Sequence, residues 1–238
     1  NTIQNNKMEQ TVENILPYER DAFLSLNGLR ADFWDYFMTI YSGKLIWLPL
    51  VLTILGVLIY KTKWKEALLV IAAFIILAVL CDQISASVIK PFFMRLRPSR
   101  HPDFENFVFV VDSYRGGKYG FISSHATNSF GLAIFSSLLF RYRLLTITVF
   151  AWALVNSYSR IYLGVHFISD IIGGFCIGIL LGVMVYYLYL FARKKILHTE
   201  KSELRIPIYS HERANLIVGT VISSTLTIII ISFVAVSI

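Results

Sequence analysis

Long apolar runs decide what this chain can fold into. Six stretches, at 45–60, 67–89, 126–140, 144–158, 167–191 and 216–238, are dominated by Leu, Ile, Val, Phe and Ala. A helix needs about 20 predominantly apolar residues to cross a bilayer. In lipid every backbone N–H and C=O must find its partner inside the segment, so these runs are expected to be helices. The first, third and fourth runs are short and should extend into less apolar flanks. Of the 238 residues, 56% are hydrophobic and 16% charged. A soluble domain carries about a quarter charged residues, and one core of this size cannot hide so much apolar surface. The expected fold class is all-α: a polytopic membrane bundle of about six transmembrane helices. This excludes a disordered chain, a secreted disulfide scaffold and a nucleic-acid module.

Residues 1–43 lack an apolar run and mix aromatic with acidic residues. They read as an N-terminal interfacial amphipathic segment, ahead of a transmembrane domain at 44–238. The layout of a cleavable signal peptide is missing. Met8 reads as the natural start, with residues 1–7 foreign to the protein. In the fifth run, Gly174, Gly178 and Gly182 repeat at a four-residue spacing, which lets a neighbouring helix approach closely. Cys81 and Cys176 both lie in apolar runs and read as buried thiols that pack as small hydrophobes.

The net charge is +7. Three connections are basic: Lys61, Lys63 and Lys65 after the first run, Arg141 and Arg143 after the third, and Arg193, Lys194 and Lys195 after the fifth. The positive-inside rule makes that side cytoplasmic and places the N-terminus outside. The outward connection after the second run is also basic, through Lys90, Arg95, Arg97, Arg100, Arg115 and Lys118. Topology does not explain those charges; chemistry can.

Three polar clusters fall on this outward side. In the first, Pro91 should end the second helix at Lys90 and open a short new one, which Pro98 should stop. Lys90 and Arg97 are seven residues apart, about two helical turns, and could converge on one anion. Snorkelling at the membrane edge is the plainer reading of such cations. In the second, Ser123 and Ser124 open the third helix beside His125. A serine there caps free N–H groups, and the same groups cradle phosphate. Taken alone, such a triplet is usually a cap and a surface histidine. In the third, Ser159 and Arg160 precede His166 and Asp170. The last two stand at i and i+4, which puts them on one helix face. An aspartate there can fix the imidazole tautomer, and a carboxylate at the mouth of an apolar span is costly enough to suggest function. A metal pair is a poor alternative, because two ligands are too few. Together the clusters offer a nucleophile, an acid for the leaving group and positive charge around phosphoryl oxygens, which is what metal-free phosphoryl transfer requires.

In these residues the chain resembles the type 2 phosphatidic acid phosphatase (PAP2) superfamily, whose signature reads K-x6-R-P, P-S-G-H and S-R-x5-H-x3-D. Lys90, Arg97 and Pro98 match the first part, and Ser159, Arg160, His166 and Asp170 the third. The second is partial: Ser123 and His125 match, while Ile122 replaces the proline and Ser124 the glycine. The serine keeps its backbone N–H and adds a hydroxyl, so altered fit is expected and not loss of activity. The resemblance covers roughly 45–191. It implies that His166 attacks phosphorus to form a phosphohistidine, that Asp170 orients it, and that His125 protonates the leaving group and then activates water. It also implies that Lys90, Arg97, Ser123, Ser124 and Arg160 bind the phosphoryl oxygens, with no metal and no other cofactor. Related soluble haloperoxidases hold vanadate in the same constellation; apolar spans argue against that branch.

The implied partner is a membrane lipid or prenyl phosphate: phosphatidic acid, phosphatidylglycerol phosphate, undecaprenyl pyrophosphate or a lipid A phosphate. Arg95, Arg100, Arg115 and Lys118 should add positive potential for a headgroup with several anionic oxygens. The implied location is a bacterial inner membrane with the site facing the periplasm. Two other classes stay open. A transporter would place polar residues at mid-bilayer, where Asp82 and Gln83 fit. A non-catalytic lipid-binding member of the same fold is the other.

Overall fold

The structure is a computed structural model that describes residues 12–200 and 202–237. Met8 and everything before it lie outside the described residues. Eight helices carry the fold: α1 (Leu16–Asn27), α2 (Asp32–Tyr41), α3 (Leu48–Ile59), α4 (Trp64–Phe93), α5 (Ser124–Phe140), α6 (Arg143–Tyr162), α7 (Ile168–Ile196) and α8 (His211–Ser237). Among the described residues no strand forms, and one isolated bridge pairs Leu96 with Tyr119. Every apolar run of the sequence is helical. Four of the helices, α4, α6, α7 and α8, are each long and apolar enough to cross a bilayer, and the pair formed by Asp32–Tyr41 and Leu45–Ile59, bent by 65°, makes up to five. The expected count of about six is thus narrowed. The 17-residue α5 is the run that falls short. It packs against α4, α6 and α7.

The glycines of α7 explain that packing. A Cβ on Gly178 would stand 2.5 Å from the carbonyl oxygen of Thr127 and 3.0 Å from the Gly131 nitrogen. One on Gly174 would stand 2.8 Å from the Ser123 carbonyl oxygen. Facing them, a Cβ on Gly131 would meet Cys81 Sγ at 2.9 Å. Helices α5 and α7 therefore touch backbone to backbone, as expected of small residues at four-residue spacing.

Helix α4 departs from expectation. Pro91 does not end it at Lys90. The stretch Ile84–Ile89 winds as a π-helix, and the helix runs on to Phe93 before Met94 turns left-handed at φ 48°. The wider turn shifts the hydrogen-bond register, so a residue with no N–H can follow without breaking the rod. Pro98 then opens a 3₁₀ turn, Pro98–Arg100, instead of stopping a helix. The cysteines also differ from one another: Cys81 is buried and Cys176 exposed. An apolar neighbourhood in sequence does not imply burial when lipid is the solvent. Exposed Leu180, Leu188, Ile222 and Phe233 make the same point on the outer faces of α7 and α8.

The three basic connections gather at one end of the bundle. Arg193 Nε pairs with Glu66 at 2.9 Å, Arg141 donates to Tyr186 Oη at 2.7 Å, and a cavity of about 710 Å³ there is lined by Lys61, Lys63, Lys65 and Arg213. Lys90, Ser123 and Asp170 stand at the other ends of the same helices α4, α5 and α7.

A Gly178→Val substitution is expected to destabilise the bundle by about 1–3 kcal/mol through overpacking. Gly219→Ala, where a Cβ meets nothing within 4 Å, should cost nothing. Thermal unfolding in detergent measures both, and equal melting of the two variants would contradict the glycine seam.

Candidate active site

The loop between α6 and α7 carries the central histidine. It folds back on the end of α6, whose Arg160 carbonyl accepts the amides of Val165 (3.1 Å) and His166 (3.2 Å). Gly164 makes the turn at φ +70°, a conformation that favours glycine. His166 therefore precedes α7 and does not share a helical face with Asp170, contrary to the i, i+4 expectation. The pair meets for another reason. Asp170, on the first turn of α7, reaches back to accept the Phe167 amide at 3.0 Å on Oδ2, and His166 Nδ1 stands 3.1 Å from the same oxygen. The carboxylate caps the helix and holds the imidazole at once, so Nε2 is the nitrogen not committed to Asp170.

Both groups are buried, His166 at 2% exposure and Asp170 at 0%. Burial first, then the charges of Arg97, Arg160 and Lys90, push the His166 imidazole well below its ordinary value. Both effects favour the neutral ring.

The cations are built in. Arg97 Nε donates to Tyr119 O at 3.1 Å, and its Nη1 donates to Val165 O at 3.3 Å, beside His166. Gly116 makes room for it, because a Cβ there would stand 2.6 Å from Nη1. Arg160 Nη2 donates to Tyr114 Oη at 3.2 Å, while its buried Nε has no hydrogen-bond partner among the described residues. Lys90 donates to Ser124 Oγ at 2.5 Å, which also receives Ser85 Oγ at 2.8 Å. Ser123 caps α5, accepting the Ala126 amide at 3.4 Å, and its own N–H donates to Asp170 O at 3.0 Å. That main-chain bond ties the start of α5 to the start of α7. The structure thus gathers seven of the eight candidate residues, Lys90, Arg97, Ser123, Ser124, Arg160, His166 and Asp170, around two helix N-termini.

The eighth, His125, lies on a cavity of about 510 Å³ whose lining includes Arg160, Tyr114, Lys44, Thr39 and Asp112. Ser42 and the charges of Arg160 and Lys44 are its neighbours. His166 does not line that cavity, but the charge of His125 acts on it directly, and Arg160 and Arg97 act on both histidines.

One candidate was misplaced. Arg95 is not part of an exposed basic patch: it is 0% exposed, and its Nη1 donates to Asp170 Oδ1 at 3.0 Å. Two residues before Arg97 in an extended turn, its side chain goes into the protein. Arg100, Arg115 and Lys118 remain on the surface. Asp82 is also exposed, on the outer face of α4, where it acts on Lys90. Sequence reasoning missed Tyr114, Lys44 and Glu19, which come from segments far from the motifs. Nothing in their local sequence marks them. Among the described residues, no group of three or more His, Cys, Asp or Glu is placed to hold a metal ion.

Comparison with known proteins bears on this arrangement. The PAP2 superfamily model matches residues 66–194. The chain is 47% identical over 184 residues to a lipid A 4'-phosphatase of Porphyromonas gingivalis, covering 77% of this chain and 78% of that protein. It is 40% identical over 178 residues to a lipid A 4'-phosphatase of Bacteroides thetaiotaomicron, covering 74% and 79%. A phosphatidylglycerophosphatase B of Bacillus subtilis is 28% identical over 148 residues, covering 58% and 65%. The fold is similar to the crystal structure of a transmembrane PAP2 type phosphatidylglycerolphosphate phosphatase from Bacillus subtilis, with TM-score 0.52 and 20% identity, over 78% of this chain and 95% of that one.

His166 is expected to stay neutral at a pH where an ordinary histidine, with a value of 6.5, is half protonated. Arg97→Ala removes a nearby cation and should move its titration upward, toward the ordinary value. Resonances of labelled imidazole followed across pH report both, and a His166 that titrates normally in the unmodified protein would contradict the burial argument.

Proposed function

This chain belongs to the PAP2 superfamily, and on that premise we propose that it is an integral membrane phosphatase that removes the 4'-phosphate of lipid A. The observation that carries the reading is the His166–Asp170 pair: a buried, neutral imidazole held through Nδ1, with Arg97, Arg160 and Lys90 around it. The substrate follows from the two relatives named lipid A 4'-phosphatase, at 47% and 40% identity.

The reaction runs in two displacements. His166 Nε2 attacks phosphorus and the P–O bond to the lipid breaks, while His125 gives the leaving oxygen its proton. Water then attacks phosphorus, the N–P bond breaks, His125 takes the proton of that water, and inorganic phosphate leaves with His166 restored. Arg97, Arg160 and Lys90, with the Ser123 and Ser124 groups at the start of α5, neutralise the phosphoryl oxygens as charge develops. The N-terminal face of α5 adds its own positive end. The Ser124 hydroxyl, which stands where the family carries glycine, holds the Lys90 ammonium in place.

The same reading sets the orientation and the parts of the chain. The basic connections mark the cytoplasmic side of a bacterial inner membrane, so the site faces the periplasm. The interfacial segment, described over residues 12–43, precedes the phosphatase domain that begins at 44. A second reading, phosphatidylglycerol phosphate as substrate, is favoured by the Bacillus subtilis relative at 28% identity.

Phosphate release from a panel of lipid A, phosphatidylglycerol phosphate, phosphatidic acid and undecaprenyl pyrophosphate decides between the substrates. His166→Ala should lower release by about 10³-fold or more. Vanadate should inhibit and chelators should not; strict dependence on added magnesium would count against the histidine mechanism.

A further inference from the structure

The N-terminal helix reaches the reacting pair. Four residues of α1 are buried, Leu16, Glu19, Phe23 and Asn27, and they recur at helical spacing along one face. Two are polar, and each is fully used. Asn27 Nδ2 donates to the carbonyls of Ile161 (3.1 Å) and Tyr162 (2.9 Å), and its Oδ1 accepts the Phe109 amide at 2.9 Å. Glu19 works at the other end. Its Oε2 accepts the Ser169 amide at 2.8 Å, and its Oε1 accepts Ser169 Oγ at 2.7 Å and Arg95 Nη2 at 2.6 Å.

Arg95 then passes the contact on. Its Nη1 donates to Ser169 Oγ at 2.5 Å and to Asp170 Oδ1 at 3.0 Å, and its guanidinium lies 4.5 Å from the centre of the Phe167 ring. The guanidinium is enclosed, with 0% side-chain exposure, and Glu19 shows only 8%. Asp170 is thus held on both oxygens: Arg95 takes Oδ1, while the Phe167 amide and His166 share Oδ2. Its carboxylate cannot rotate about its own bond without breaking one of these contacts.

We propose that Glu19 and Arg95 form a clamp by which the N-terminal helix positions the Asp170–His166 pair. Both are positioning residues, since neither touches the phosphoryl group. The inference rests on the reading of His166 as nucleophile and adds a part of the chain outside the family signature. The physical reason for the pairing is the enclosed guanidinium. A buried cation left with one counter-ion draws that counter-ion toward itself. Without Glu19, Arg95 competes with His166 for Asp170. With Glu19 present, the guanidinium is shared between two carboxylates, and Asp170 keeps one oxygen for the imidazole.

The test compares Glu19→Gln, Ser169→Ala and Asn27→Ala in the full-length protein, with purified bis-phosphorylated lipid A in mixed micelles. Glu19→Gln should lower kcat roughly 10- to 100-fold with KM nearly unchanged, the size expected when a catalytic group is misplaced from a distance. Ser169→Ala removes one contact to each clamp residue, leaves the charges paired, and should lower kcat by a smaller factor. Asn27→Ala loosens the same helix at its other anchor; it should lower the melting temperature without that loss of kcat. Wild-type kcat in Glu19→Gln, or in Ser169→Ala where Glu19→Gln does not fold, overturns the clamp. So does a kcat that falls in step with melting temperature across all three. If His166→Ala is inactive in those cases, the phosphatase reading stands without the clamp. Turnover by His166→Ala would overturn both.

Discussion

Helices α5 and α7 meet without side chains between them, and the site depends on that contact. Where Gly178 faces Thr127 and Gly131 there is no space even for a methyl group. The approach is close enough for the Ser123 amide to donate to the Asp170 carbonyl. One helix start brings Ser123, Ser124 and His125; the other brings Asp170 and, just before it, His166. Two N-termini side by side also place two positive dipole ends in one place. Bulk at the glycines would part the helices and separate Ser123, Ser124 and His125 from His166 and Asp170.

The second constraint is charge buried at a membrane edge. Lys90, Arg95, Arg97 and Arg160 converge there, against the carboxylates of Asp170 and Glu19. Enclosed charge is costly unless it is paired. Arg95 is paired by both carboxylates. Arg97 and Arg160 are held mainly by neutral groups, Tyr119 O, Val165 O and Tyr114 Oη. The positive excess is therefore placed on the cations that face His166, which is where an anionic phosphoryl group would compensate it. Arrangement, not number, distinguishes the ion-paired Arg95 from Arg97 and Arg160.

Much of this was legible in the chain. Apolar runs longer than a buried helix requires point to a membrane bundle, and each proved helical. The four-residue glycine spacing named the close-packed face of α7. Seven of the eight candidate polar residues gather around two helix starts, with His125 on the adjoining cavity. Other points were not legible, for identifiable reasons. Arg95 reads as one more basic residue in a basic loop, because linear sequence does not show which way a turn aims a side chain. Glu19 and Asn27 lie on one face of the segment read as interfacial and amphipathic. In the fold that face is buried, with protein carbonyls, amides and a guanidinium as its partners. Pro91 reads as a helix end, and the π-turn before it removes that obligation.

Sequence by itself determined the class of fold, the helices and the family, because apolar length, glycine spacing and motif chemistry are local properties. Only the tertiary structure decided which helices touch, that His166 stands in a loop and not on a helix, and that the first helix reaches Asp170 through Arg95. Those are contacts between distant residues, 150 positions apart for Glu19 and Ser169, and they follow from how the helices pack, which no local pattern encodes.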